Sequence, residues 1–281
     1  MTITGTHQTA DTDAPAGTVR STMNYLGPMD EAPYVDVADR SRTRLAVDPR
    51  TMTFTDARAF AGDLSLDVQG FRLVSHHTAL ERADFRDPGK VDGTYLREME
   101  QLVQAETGAD LVVSAHGPLL RLNAERTDSV RPASIAHTDY SDFTLRTQIG
   151  FQLDLTDPAL AGYSRIEAYQ TWRALSPPPQ DNTLAFCDAR TVDLADRVLS
   201  RFTVQLPRRA DLEFYMYRYN PAHRWYYFSD LRLDEILLFK GFEGDGADRM
   251  NVLHGGFENV ACPAGAEPRE SIETRAFAFF R

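Results

Sequence analysis

The sequence of 281 residues lacks the features that mark several large classes of protein. Its two cysteines, Cys187 and Cys262, are too few for a disulfide framework and form no Cys-x-x-Cys motif for metal or redox chemistry. No stretch approaches the roughly 18 consecutive apolar residues that a membrane-spanning helix needs. The N-terminus has neither the basic start nor the apolar stretch of a secretory signal. The sequence therefore predicts a cytoplasmic protein with no membrane-spanning segment.

Positive charge is scarce as well. The formal net charge is −11, and lysine occurs only at Lys90 and Lys240, so arginine carries nearly all the basic charge. Because nucleic acids and anionic membranes are bound through a positive field, neither is an expected partner. Hydrophobic residues make up 42% and charged residues 25% of the chain, which excludes wholesale disorder and allows one sizeable core.

Nucleotide-binding motifs are also absent, since the chain has no GxGxxG and no P-loop, and it has no GxSxG nucleophile elbow of the hydrolases. Strands do not alternate with long helices, so a doubly wound sheet is not expected. Instead, about eight short segments rich in β-branched or aromatic residues predict strands from residue 109 onward, separated by proline and glycine turns. These segments are DLVVSAHG, SIAHT, SRIEAYQTWRAL, TLAFCDAR, DLEFYMYRYN, HRWYYFSD, EILLFKGF and SIETRAFAFFR. The pattern favours a mainly β sandwich, barrel or jelly roll.

The N-terminal part of the chain has a different composition. Residues 1–22 are mostly Thr, Ala, Asp and Gly, and we expect them to form a flexible arm before a single domain over residues 23–281. A helix is predicted from Asp92, its expected cap, to Glu106, with Gly108 ending it. Its one apolar stripe has to lie against something, most simply a sheet.

The triplet His137-Thr138-Asp139 is the first candidate for chemistry. In an extended segment the first and third residues point to the same face, so both can reach one metal ion. A second histidine would complete a two-histidine, one-carboxylate triad, which leaves coordination positions open as iron(II) oxygenases require. With seven histidines in the chain, one such triplet is also expected by chance, and a strand-end hydrogen-bonded pair is the structural alternative.

The C-terminal segment supplies what that triplet lacks. His254 comes shortly before the last predicted strand, where alternation puts Arg269, Ser271, Glu273 and Arg275 on one face. If this face points inward, a dicarboxylate cosubstrate would bind the arginine fork, and the serine hydroxyl would add a hydrogen bond. The alternative is a solvent-exposed face whose arginines pair with Glu273. The order of triplet, distal histidine and Arg-x-Ser favours the oxygenase.

Four other side chains are weaker candidates for lining a substrate pocket. His116 ends a predicted strand, Trp172 and Arg173 lie within another, and Tyr226 belongs to an aromatic run. Each has a structural alternative, which is ordinary packing of a barrel strand.

Longer segments make a family resemblance specific. AHTDYS, TWRAL, LAFCDAR, RWYYFSDLRLDEILLFKGF and PRESIETRAFAFF occur in this order. From about residue 24 to its end, the chain resembles the hydroxylase/desaturase family that groups gibberellin desaturase-like fungal enzymes with the smaller component of bacterial cephem 7-methoxylases. The resemblance implies an iron(II)/2-oxoglutarate-dependent oxygenase of specialised metabolism, with a double-stranded β-helix (jelly-roll) core and helices packed outside it.

Residue by residue, the resemblance implies an Fe(II) site and a 2-oxoglutarate site. The implied iron ligands are His137, Asp139 and His254. Arg269 with Ser271 matches the usual pair for the cosubstrate carboxylate, and Arg275 is the rival arginine. The sequence departs from the family at Gln170, where Asn is more usual. We expect such changes to leave the metal site intact and to affect the choice of substrate.

The expected reaction is hydroxylation or desaturation of an unactivated C–H bond of a small molecule, with O2 as the oxidant. Two alternatives stay open. One is a metal-binding cupin that uses no 2-oxoglutarate, and the other is a non-catalytic accessory subunit of a methoxylase-type pair. A homodimer and a partner enzyme are both compatible with the sequence.

Overall fold

A computed structural model describes residues 15–37, 39–115, 117–121, 135–151, 153–154, 156–204, 209–243 and 250–281. Strands dominate this part of the chain. In chain order they are β1 (Thr18–Leu26), β2 (Tyr34–Asp36), β3 (Val47–Asp56), β4 (Phe71–Ser75), β5 (Leu111–Ser114), β6 (Leu119–Arg121), β7 (His137–Thr138), β8 (Arg165–Ala174), β9 (Asn182–Cys187), β10 (Arg197–Val204), β11 (Ala210–Tyr217), β12 (Trp225–Tyr227), β13 (Glu235–Phe242), β14 (His254–Glu258) and β15 (Ser271–Phe280). The helices are α1 (Pro88–Lys90), α2 (Leu96–Thr107) and α3 (Asp142–Ile149), and a π-helical turn, Val91–Tyr95, joins the first two. Short 3-10 turns cover Arg40–Arg42, Ala57–Asp63, Arg82–Arg86, Pro158–Leu160, Ala189–Thr191 and Leu194–Asp196.

The strands form two sheets. One has nine strands in the order β1-β3-β12-β9-β14-β7-β11-β10-β2, and the other has six, because β6 joins the path β4-β13-β8-β15-β5 by pairing with β15. Most neighbours are antiparallel, and β2–β10 and β3–β12 are parallel. Many sheet neighbours are far apart in sequence, as in a jelly roll, where the chain passes back and forth between two layers. The predicted mainly β class is confirmed.

Apolar side chains from the two sheets meet between them. Phe186 of β9 and Phe239 of β13 have ring centroids 4.9 Å apart, and Phe71 of β4 stacks on Phe186 at the same distance. Trp172 and Leu237 belong to the same buried cluster. Burial of large side chains on both inner faces holds the layers together.

The helix α2 covers the outer face of the six-stranded sheet, as the apolar stripe predicts. Met99 and Val103 are fully buried and pack in one cluster with Ala276 and Ala278 of β15. The helical segment begins earlier than predicted, because Asp87 rather than Asp92 caps it.

Asp87 accepts hydrogen bonds from the backbone N–H groups of Gly89 and Lys90, and Pro88 stands at the first helical position, where no N–H is needed. Gly108 ends α2 at φ 70°, a conformation that glycine adopts without strain. None of the helices in the described part of the chain is long and apolar enough to span a bilayer.

The N-terminal part contributes more strands than predicted. The expected flexible arm over residues 1–22 is wrong at its C-terminal end, because Thr18 begins β1 and the strand pairs with β3 along its whole length. Its alternating burial, with Val19 and Met23 turned inward, explains why this polar segment is extended and ordered. Residues 1–14 lie outside the described residues. The strands β1 and β3 extend the large sheet, and β4 forms an edge of the small one, so this region is more than a helical flank.

Candidate functional site

Two histidines face each other across neighbouring strands of the nine-stranded sheet. His137 begins β7 and His254 begins β14, and the antiparallel register pairs them directly. Directly opposed residues project on the same side of a sheet. Their ring centroids are therefore only 4.4 Å apart, in a buried position.

Backbone carbonyls fix the orientation of both rings. Nδ1 of His137 lies 2.7 Å from the carbonyl oxygen of Ile135, and Nδ1 of His254 lies 2.9 Å from that of Val252. A carbonyl oxygen only accepts, so in each ring Nδ1 donates its hydrogen, and in the neutral imidazole Nε2 carries the lone pair. Burial, together with the neighbouring His137, lowers the pKa of His254 to about 4. This is the arrangement of metal-binding histidines, whose second nitrogen donates to a carbonyl or carboxylate.

Asp139 completes the group from two residues beyond His137. Its Oδ1 is 3.3 Å from Nε2 of His137, and one ligand atom from each of Asp139, His137 and His254 lies within 4.8 Å of the other two. Burial raises the pKa of the Asp139 carboxyl, but the charge of Arg275 and the two histidines more than offset this and hold it well below its usual range. The carboxylate is therefore anionic.

The other oxygen of this carboxylate faces the six-stranded sheet. Oδ2 of Asp139 accepts from Nε and Nη2 of Arg275 at 3.2 and 2.8 Å, and from Nε2 of Gln170 at 2.7 Å. Oε1 of Glu273 lies 2.9 Å from Nη2 of Arg275 and 3.2 Å from Nε2 of Gln170. The four side chains thus form one network that joins the two sheets.

Arg269 lies just before β15. Its Nη1 donates to Oγ of Ser271 at 2.9 Å, and its guanidinium carbon is 5.5 Å from the centre of the Trp172 ring. The backbone N–H of Arg269 donates to Oδ1 of Asp181 at 2.9 Å, which fixes the point from which the side chain starts. Both Arg269 and Ser271 are buried. A guanidinium held between a hydroxyl and an aromatic ring is well suited to bind a carboxylate.

One cavity connects these groups. Its lining residues are Leu119, Arg121, His137, Asp139, Trp172, Thr183, Leu184, His254, Gly256, Arg269, Glu273 and Arg275. The inward face that alternation predicts for the last strand is therefore the face that the structure turns towards the cavity. Three arginines and two carboxylates share a space walled on its other sides by Leu119, Leu184 and Trp172.

The four pocket candidates fall into three groups. Trp172 lines the cavity. Arg173 does not, because it is the next residue along β8 and points to the opposite face, where its Nε donates to the Tyr95 hydroxyl and its Nη2 to Nδ1 of His76. Tyr226 packs against Phe60 and Phe71 and is not among the lining residues of the described chain. His116 lies outside the described residues.

Two residues of the network have roles that the sequence does not predict. Gln170 was expected to affect the substrate and not the metal site, but its amide contacts Asp139 directly. Glu273 was expected on the same face as the arginines, as a partner for them if that face were exposed, and it is a half-buried member of the network. Strand alternation identifies the face on which each lies. The partner on the opposite sheet has no signal in a single sequence.

Comparison with known proteins places the chain in a family. A family model described as "Oxidoreductase/YMDC permease-like domain" matches residues 23–279. The chain belongs to this family.

Curated relatives give the family an enzymatic context. One is the Fe(II)/2-oxoglutarate-dependent dioxygenase nvfI of Aspergillus novofumigatus, which is 27% identical over 234 residues, or 82% of this chain and 84% of the relative. Another is the hydroxylase/desaturase efuI of Hormonema carpetanum, 28% identical over 289 residues, or 94% of this chain and 95% of the relative. The expected likeness to hydroxylase/desaturases is thus confirmed.

A solved structure agrees with these relatives. The iron and alpha-ketoglutarate-dependent endoperoxidase NvfI superposes with a TM-score of 0.83 at 25% identity, over 95% of this chain and 99% of that one. The predicted jelly-roll fold is confirmed by this match. The predicted enzyme class, an iron- and 2-oxoglutarate-dependent oxygenase, is confirmed by the named relatives and by this structural neighbour.

Proposed function

We propose that the chain oxidises an unactivated C–H bond of a small molecule, with His137, Asp139 and His254 holding iron(II). Arg269 with Ser271 holds the far carboxylate of 2-oxoglutarate. The proposal rests on one observation, which is that the candidate ligands and Arg269 meet at one cavity. Two imidazole rings and one carboxylate each offer a ligand atom within 4.8 Å of the other two, at the wall of a cavity that Arg269 also lines.

The donor set fits a divalent transition metal. Imidazole nitrogen and carboxylate oxygen together suit iron(II), and the three protein ligands found among the described residues leave positions for a cosubstrate and oxygen. When bound, the iron activates O2 at the expense of 2-oxoglutarate and supplies the oxidising power of the reaction. The chain itself has to bind the reactants, orient them and exclude water.

The contacts of the two candidate arginines support Arg269 as the cosubstrate residue. Arg275 is engaged by two carboxylates of the chain, Asp139 and Glu273. Arg269 contacts a hydroxyl and an aromatic ring, and a guanidinium in such surroundings suits recognition of a carboxylate. Ser271 can donate its own hydroxyl hydrogen to the same carboxylate, since it accepts from Arg269.

The substrate would enter the same cavity, past its apolar walls. Leu119 and Leu184 lie among the lining residues and would exclude water from the reacting C–H bond. Hydroxylation and desaturation both follow from hydrogen abstraction at such a bond, and a curated relative carries both names. The closer likeness to gibberellin desaturase-like enzymes and to the cephem methoxylase component remains a prediction, as does a homodimer or a partner enzyme.

Anaerobic titration of the apoprotein with Fe(II) and then 2-oxoglutarate tests the proposal. We expect a weak visible charge-transfer band that needs both additions and is lost in His137→Ala. Iron binding without the band would favour a metal cupin that does not use 2-oxoglutarate. No iron binding by the wild-type protein would contradict the proposal and favour an accessory subunit.

A further inference from the structure

We propose that Gln170, Glu273 and Arg275 form an Asp139 cradle, which presents one oxygen of that carboxylate to the metal and sets the affinity of the site for a divalent cation. The inference rests on the proposed function, since it concerns the same metal site. It assigns positioning roles to three residues on β8 and β15 that would not touch the metal themselves.

The hydrogen bonds leave Asp139 only one oxygen for a metal. Oδ2 accepts three N–H groups, two from Arg275 and one from Gln170, at 2.7 to 3.2 Å. An oxygen with this many donors has no lone pair left to bind a cation. Oδ1 is the oxygen near Nε2 of His137. The carboxylate would therefore bind through Oδ1 alone, and its rotation is prevented by contacts from the opposite sheet.

The orientation of the Gln170 amide is fixed by its neighbours. Both Asp139 and Glu273 can only accept when ionised, so Nε2 has to lie between them. Oε1 then points away, and it has no hydrogen-bond partner among the described residues. A buried unpaired oxygen costs about 1–3 kcal/mol. The fold tolerates this cost at a fully buried position, which indicates that the contact with Asp139 is functional rather than a packing accident.

The neighbouring strand is shaped around the same amide. Gly241 lies where the β8–β13 register shifts between Lys240 and Phe242. A Cβ atom at Gly241 would stand 2.7 Å from Oε1 of Gln170. Any larger residue would push the amide out of place, so a bulge and a glycine together make the room that Gln170 occupies.

Glu273 balances the charge of the cradle. An unpaired arginine beside Asp139 would oppose a cation at the same carboxylate. Because Arg275 contacts both Glu273 and Asp139, the arginine and Glu273 neutralise each other and Asp139 keeps its negative charge for the metal. Positioning is therefore best tested with substitutions that leave all charges unchanged.

The test is anaerobic titration with Co(II), followed by its visible d–d spectrum, in Gln170→Leu and Arg275→Lys. Loss of a hydrogen-bond partner of a metal ligand typically weakens metal binding about 10- to 100-fold. We expect weakening in this range in both variants, together with an altered cobalt spectrum. The two variants perturb the cradle independently, so a folding failure in one leaves the other as the test.

Matched controls come from the same chain. Gln180 is an equally buried amide that bonds the backbone of Leu231, and Arg58 forks onto Glu235 with two bonds of 2.8 Å. Gln180→Leu and Arg58→Lys should lower the thermal stability without changing the cobalt affinity or spectrum. Equal cobalt binding in the wild type and in the cradle variants would overturn the inference.

Two other results have separate meanings. If Arg275→Lys left cobalt binding unchanged and weakened only 2-oxoglutarate binding, Arg275 would be a cosubstrate residue and the cradle would be wrong. If the wild-type protein bound neither Co(II) nor Fe(II), the proposed function itself would fail, and the variants would not be needed to show it.

Discussion

Arg269 and Arg275 lie six residues apart on the same side of the same segment and line the same cavity, yet their surroundings differ. Arg275 is held by two carboxylates of the chain. Arg269 is held by the Ser271 hydroxyl and lies over the Trp172 ring. An arginine paired with internal carboxylates is a structural element, whereas one placed against a hydroxyl and an aromatic face can take a carboxylate from outside.

The difference originates in the strands opposite. The β15–β8 register places Arg275 beside Gln170, and Asp139 of the large sheet reaches the same point. Ser271 is placed beside Ala174, which offers no polar group and leaves the hydroxyl for Arg269. The cavity thus has a metal end, near Arg275 and Asp139, and a cosubstrate end, near Arg269 and Ser271.

Removal of a metal ligand should give the largest effect and test whether the two ends are independent. We expect His254→Ala to bind Fe(II) more than about 100-fold more weakly, because losing a ligand exceeds the loss of a ligand's hydrogen-bond partner. Anaerobic iron titration measures this. The Arg269 end should stay folded, with an unchanged circular dichroism spectrum. Wild-type iron affinity in this variant would show that the ligands have been assigned incorrectly.

Substitution of Arg269 should weaken the binding of 2-oxoglutarate and not that of iron, the opposite of His254→Ala. Truncating one partner of a buried charge-paired hydrogen bond costs about 2–5 kcal/mol, which is roughly 30-fold or more in affinity. Arg269→Met should therefore raise the Kd for 2-oxoglutarate by at least that factor and leave iron affinity unchanged. Arg269→Lys should recover only part, since it keeps the charge and loses the fork. Isothermal titration of the iron-loaded protein with 2-oxoglutarate, without oxygen, distinguishes the two variants. A loss of iron affinity in Arg269→Met would show that the two ends of the cavity are not independent.

Arg173, which lies next to Trp172 but outside the cavity, provides a further comparison. Its replacement by Met would leave the Tyr95 hydroxyl and Nδ1 of His76 without their buried donor. We expect a loss of about 2–4 kcal/mol in the free energy of unfolding, from a buried network broken at two groups. Urea unfolding measures the loss, while iron and 2-oxoglutarate affinities should stay at their wild-type values. A selective change in either affinity would mean that Arg173 does contribute to the site.

Much of the site follows from periodicity alone. The spacing of His137 and Asp139, and the alternation from Arg269 to Arg275, both depend on the extended backbone, which turns every second side chain to one face. The same rule separates Trp172 from Arg173, so predicting both for one pocket contradicted the geometry of a strand.

The rest depends on contacts between distant segments. The role of Gln170 requires the β7 end to face β8 across the cavity, and Gly241 has to vacate space on a third strand. The strand β1 was missed for a related reason, since its partner β3 lies beyond an intervening strand and supplies the hydrogen bonds that make a polar segment extended. Such pairings join segments that are distant in sequence, so a local pattern does not predict them.

The smallest effect should come from Ser271→Ala. The hydroxyl gives Arg269 one neutral-to-charged hydrogen bond of 2.9 Å, and the loss of such a bond costs about 1.5 kcal/mol. We expect about a 10-fold higher KM for 2-oxoglutarate, with little change in kcat and in iron affinity. Ser271→Thr, which keeps the hydroxyl, is the matched control and should restore most of the affinity. Because Ala174 lies opposite, the cavity gains no new polar neighbour in either variant. A drop in iron affinity instead would mean that the cosubstrate end and the metal end respond as one unit.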